Sequence, residues 1–95
     1  MANGPRAKFA LGQIVATPGA LEAFQQTDES PWTFLARHVS GDWGDLDDED
    51  RRENELSLIH GFRLFSAYRL TDQTKIWIIT KADRSATTLL CQIHF

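Results

Sequence analysis

The last third of the chain is its most restrictive part. After Gly61, the residues Phe62, Leu64 and Tyr68 alternate with Arg63, Phe65 and Arg69, and two further runs, KIWIIT and ATTLLCQIHF, follow. Their β-branched and aromatic side chains suit extended backbone. Only TDQT and KADRS separate the three runs. A parallel crossover takes a dozen or more residues, so links this short demand antiparallel neighbours. The spacing predicts a three-stranded antiparallel meander, with Thr87, Leu89, Cys91, Ile93 and Phe95 on one side of its final strand.

Helices are expected before it. Thr17-Pro18 and Ser30-Pro31 each join a hydroxyl that can cap free amides to a proline already set at helical φ. The first helix should reach Gln26, burying Leu21 and Phe24 with Ala20 and Ala23 nearby. In the second, which ends at Ser40-Gly41, Trp32, Leu35, Ala36 and Val39 share a face. A third should run from Asp47 to His60 on a stripe of Leu56 and Ile59, with Gly61 as its left-handed stop. Ahead of these, Lys8 to Ala16 alternates as a short strand would, and residues 1–7 read as a loose leader. The whole, 1–95, is expected to be a single α+β domain: a C-terminal meander, with a possible N-terminal strand, packed by two or three helices.

No apolar run approaches the ~20 residues of a membrane span, and MANGPRAKFALG lacks a signal-peptide core, so a cytoplasmic chain without membrane contact is expected. The lone cysteine, Cys91, leaves no internal disulfide and no clustered-thiolate zinc site. The net charge of −3 divides unevenly, since residues 1–50 carry three basic residues against nine acids and residues 51–95 carry seven against four. Such polarity suits docking to a charged partner or to a second copy.

The stretch HVSGDWGDLDDED gathers most of those acids. Asp47 to Asp50 fit a helix start, where carboxylates cap amides and meet the positive end of the dipole, and Asp47–Arg51 and Asp48–Arg52 stand at ion-pair spacing. That leaves Asp42, Trp43 and Asp45. Trp43, between two glycines, is either a plug that pins the loop to the core or an exposed anchor, and the three form the candidate contact surface. A metal held by His38, Asp42 and Asp45 is disfavoured: the acid spacing is not that of an EF-hand, and no second histidine stands at helical spacing. No cofactor motif occurs.

Cys91 and His94 are three apart and would point to opposite faces of a strand. The basic residues of the meander suggest a second function. RelE-type ribonuclease toxins bind and cleave RNA with bases, a tyrosine and sometimes a histidine on such a sheet, which would make Tyr68, Arg69, Arg84 and His94 the site. Parity sets Arg63 and Arg69 opposite Tyr68, and a pI of 5.5 is low for a protein living on RNA, so nucleic acid is not the expected partner.

From HVSGDWGDL through DRRENEL to SAYRLTDQTKIWIITKADRSATTLL, the chain resembles a group of short bacterial plasmid-related or mobile-element proteins of unknown function. They are sometimes labelled as a type I restriction methyltransferase subunit. That label does not fit, because an adenine methyltransferase needs a much longer nucleotide-binding fold and an Asn-Pro-Pro motif. The resemblance implies no activity and no functional residue. Gln73 stands where the group has glycine, Lys81 where it has an acid, and CQIHF replaces a short acidic ending closed by tyrosine. The first bears on the turn, since glutamine takes positive φ poorly.

The expected function is that of a non-enzymatic protein-binding module of a mobile element. Its partner would be another protein or a second copy, with the apolar edge of the final strand covered in a homodimer.

Overall fold

Local chemistry sets where the helices begin. In the computed structural model, which describes residues 7–92, a short strand β1 (Gln13–Ala16) leads into α1 (Pro18–Thr27), where the Thr17 hydroxyl accepts from the Ala20 amide at 3.2 Å. Pro31 opens α2 (Pro31–Val39), and Ser30 Oγ accepts from the Trp32 amide at 3.2 Å. Asp47 caps α3 (Asp48–His60) by accepting from the Asp50 amide at 2.8 Å, and Gly61 ends it at φ 75°. The strands β2 (Leu64–Arg69), β3 (Lys75–Thr80) and β4 (Ala86–Cys91) follow.

The fold is α+β, with three helices and a four-stranded mixed sheet in the order β1-β4-β3-β2. It is broader than a three-stranded meander because β1 joins it, parallel to β4, with Gln13 opposite Ala86 and Ala16 opposite Leu89. This overturns the expected exposed edge on the final strand: β4 lies inside the sheet, and the edges are β1 and β2. The N-terminal strand is also shorter than Lys8–Ala16, since Gly12 turns at φ 66° against Arg84 and Ser85. Apart from Ala7, the leader expected over 1–7 lies outside the described residues, as do Ile93, His94 and Phe95.

One face of the sheet is the core face. Leu64, Ser66 and Tyr68 of β2, Ile76, Ile78 and Thr80 of β3, and Thr87 and Leu89 of β4 point to it and are buried. Ala20, Ala23 and Phe24 of α1 and Phe34 and Leu35 of α2 close over it. All three helix faces differ from the pattern expected: in α1 Leu21 is exposed while Ala20, Ala23 and Phe24 are buried. Trp32 is 65% exposed and Ala36 is exposed, while Phe34, Leu35 and His38 turn inward. In α3 the stripe is reversed, with Leu56 and Ile59 exposed and Asn54 and Ser57 buried. Polar side chains turn inward there because α3 flanks the open edge of β2, whose peptide groups need partners. Among the described residues no helix is long and apolar enough to cross a membrane.

Candidate functional site

The GDWGD loop closes the β2 edge. Ala67 donates its amide to the Trp43 carbonyl at 3.2 Å, and the Asp45 amide donates to the Ala67 carbonyl at 2.6 Å. Asn54 of α3 completes the closure: its Nδ2 donates to the Phe65 carbonyl at 2.6 Å, and its Oδ1 accepts from the Phe65 amide at 3.1 Å. Gly44, at φ 75°, lies against the Ala67 carbonyl and the Tyr68 ring, where no Cβ has room. Trp43 is the plug, 3% exposed, stacked on Phe9 and donating Nε1–H to Glu55 at 2.8 Å.

The two carboxylates of the loop are both taken. Asp42 binds Arg37 at 2.7 and 3.4 Å, and the Arg37 guanidinium lies 4.6 Å over the Tyr68 ring, whose hydroxyl donates to the Asp42 carbonyl at 2.6 Å. Asp45 binds Arg69 at 2.9 Å. In each pair the guanidinium holds the carboxyl below its ordinary range. These are the ion pairs among the described residues. The expected Asp47–Arg51 and Asp48–Arg52 pairs do not form, and Arg51 instead donates to the carbonyls of Leu46 and Gly44.

His38, in the last turn of α2, is fully buried in a line of hydroxyls. Thr87 Oγ1 donates to the Leu11 carbonyl at 2.7 Å. With that proton committed, Thr87 accepts from Thr80 at 2.7 Å, and Thr80 in turn accepts from His38 Nε2–H at 2.9 Å. Nδ1 is thus the acceptor, and Ser66 donates to it at 2.5 Å. The line fixes the tautomer, and burial pushes the imidazole down to about 4. Ser66 and His38 have the atoms of a nucleophile–base pair, yet both are 0% exposed, so no substrate can reach them. Sequence carried no signal for this line, whose members come from α2, β2, β3 and β4.

The ribonuclease set is not brought together. Tyr68 is buried in the core, where burial pushes its phenol up, and Arg69 points to the other face. Arg84 sits beyond the opposite end of β2, in the β3–β4 turn. There it donates to the carbonyls of Ser57, Phe62, Lys81 and Ala82, tying the end of α3 to the turn. His94 lies outside the described residues. Among the described residues no three His, Cys, Asp or Glu side chains gather to hold a metal ion, and His38 points inward while Asp42 and Asp45 point out.

Among the described residues, two apolar surfaces are left uncovered. One is the outer face of the sheet. Val15, Thr88, Ile79 and Phe65 form one row across the strands, and Leu90, Trp77 and Ala67 form the next. The core helices all pack on the opposite face, and every residue of these rows except Ala67 retains solvent exposure. The other is the end of α3, where Leu56, Ile59 (76% exposed) and Phe62 stand beside a groove of about 380 Å³ lined by Glu53, Ser57, His60 and Arg63. Monomeric soluble proteins seldom leave a contiguous apolar sheet face open to water.

Compared with known protein families, curated proteins and solved structures, the chain matches none.

Proposed function

We propose that this chain is a small cytoplasmic protein-binding module of a mobile genetic element, without catalytic activity, and that the outer face of its sheet is the contact surface. The observation that carries this reading is the two-row apolar face of Val15, Phe65, Trp77, Ile79 and Leu90, which no helix among the described residues packs against. The resemblance of the sequence to plasmid-related proteins supplies the mobile-element setting. The loop of Asp42, Trp43 and Asp45 gives way to the sheet as contact surface, since its tryptophan is enclosed and its carboxylates are paired.

A photo-crosslinking amino acid in place of Trp77 tests this in living cells. Adducts heavier than the single chain are expected from that position and not from Glu22, which is exposed on α1. A chain that cross-links to nothing from position 77 would end the binding-module reading.

A further inference from the structure

Resting on the binding-module reading, we propose that the outer sheet face takes an acidic amphipathic helix of a partner protein, laid across the strands with its apolar stripe on the two rows and carboxylates along both flanks. Charge is the first argument. Arg69 faces Lys75 across β2 and β3, and one step beyond the facing Leu64 and Thr80 stand Arg63 and Lys81. Parity puts both pairs on the outer side, so each end of the apolar rows carries two cations set opposite each other. Like charges so placed cost a sheet stability, and an anion shared between them removes that cost. The molecule supplies only part of the answer. Asp45 binds Arg69 and Asp83 lies in the turn after Lys81, while Arg63, Lys75 and Lys81 make no salt bridge among the described residues. Four cations against those two acids leave the face at +2, so with a net charge of −3 the rest of the chain carries −5. The apolar face is the positive side of an acidic protein.

Size gives the form of the occupant. Arg63 and Arg69 are six residues apart, about 20 Å along β2 at ~3.3 Å per residue, and the two rows between them are about 7 Å apart. Four strands ~4.8 Å apart make each row roughly 15–20 Å long. Such a face offers about half the ~800 Å² per partner of a standard interface, which suits one segment of a partner and not a whole domain. A helix with its side chains is ~10–12 Å across, so it covers both rows and fits between the two cation pairs, over a length of about 10–13 residues. Lysine and arginine stems lie along apolar surface with their charges at the rim, within reach of carboxylates on either flank of that helix. An added strand would instead need a free sheet edge. The β2 edge is closed by the Trp43 loop and Asn54, and β1 is the edge farthest from these cations. Single-stranded nucleic acid fits less well, because the Phe65 and Trp77 rings meet edge to face at 81° and offer no paired faces for successive bases.

Two labelled helical peptides of about four turns test this, sharing one leucine stripe at i, i+3, i+4, i+7 spacing and differing only in their flanks, glutamate in one and lysine in the other. Fluorescence anisotropy with the full chain is expected to give the glutamate peptide a Kd on the order of 10–100 µM, at least about tenfold tighter than the lysine peptide and weaker at high salt. Trp77→Ala should weaken binding about tenfold with unchanged circular dichroism, and Ile59→Asp, on the other apolar surface, should bind as wild type does. Lys75→Glu combined with Lys81→Glu sets each new carboxylate opposite an arginine. That double variant is expected to keep or raise its Tm and to prefer the lysine peptide. Equal affinity for the two peptides, or a preference that the double variant leaves unreversed, overturns the proposal. So does tighter binding of oligouridylate or of phosphatidylserine vesicles than of the glutamate peptide, or a wild-type dimer that Trp77→Ala dissociates. If neither peptide binds while position 77 still cross-links a protein in cells, the acidic-helix assignment falls and the binding-module reading stands; if nothing cross-links either, both fall.

Discussion

Acidification from pH 7 to pH 5 should destabilise this protein through His38. Its ring is enclosed by hydroxyls, Phe9 and Trp43, with no carboxylate facing it, and holds its proton only below about pH 4, against 6.5 for an ordinary histidine. Above pH 6.5 the ring is neutral in both the folded and the unfolded chain and adds no pH dependence. Between 6.5 and 4 the unfolded chain binds the proton and the folded one does not, so stability falls as pH falls; below 4 the loss is complete. The full difference corresponds to about 3 kcal/mol, of which about 2 kcal/mol is lost between pH 7 and 5. For a small domain that moves the urea midpoint by roughly 1–2 M. Urea unfolding by tryptophan fluorescence at each half pH unit reads it, with His38→Gln as reference. The variant should be less stable at pH 7, and the wild-type slope above pH 5 should exceed its slope by the amount given. Asp42, held low by Arg37, gives way only in more acidic solution, as pH falls below the ordinary aspartate range, so the two effects separate. Equal slopes in wild type and His38→Gln, or a His38 ring resonance that titrates near pH 6.5 in the folded protein, would refute the reasoning.

Other outcomes follow from single contacts. Asn54→Ala strips the partners from both peptide groups of Phe65 and should cost about 2 kcal/mol in chemical denaturation, with increased light scattering as the β2 edge opens. Gly44→Ala drives a methyl group toward the Ala67 carbonyl and the Tyr68 ring at positive φ, and a loss of at least about 2 kcal/mol is expected by the same assay. Gln73 occupies the left-handed region at φ 73°, so Gln73→Gly should stabilise by about 0.5–1 kcal/mol, seen as a raised Tm. Arg84→Met removes the donors that join the end of α3 to the β3–β4 turn. Amide exchange should then quicken in both places together.

The helix starts were legible because capping is local: Thr17-Pro18, Ser30-Pro31 and Asp47 each act within one turn of themselves. The TDQT turn was legible in the same way, with Gln73 as its left-handed residue at φ 73°. Which helix face turns inward was not legible, since the neighbours decide it. Trp32 is as apolar as Phe34, but α2 is rotated so that His38 reaches Ser66 and Thr80. The outward stripe of α3 exchanged places with Asn54 and Ser57 because a sheet edge, invisible in the helix's own residues, needed hydrogen-bond partners. The plug reading of Trp43 could be stated from its flanking glycines, whereas the role of its loop depended on a strand more than twenty residues away. The apolar outer face was half visible as KIWIIT, where Trp77 and Ile79 alternate with the core residues Ile76 and Ile78.

The parallel pairing of β1 with β4 also has a cost in time. Gln13 leaves the ribosome roughly seventy residues before Ala86, the partner it will face, which at ~5–20 residues per second is a wait of several seconds. Until then Phe24 and Phe34 have no floor to rest on. A nascent chain built this way is expected to remain open, and within reach of chaperones and proteases, until its last strand has been synthesised.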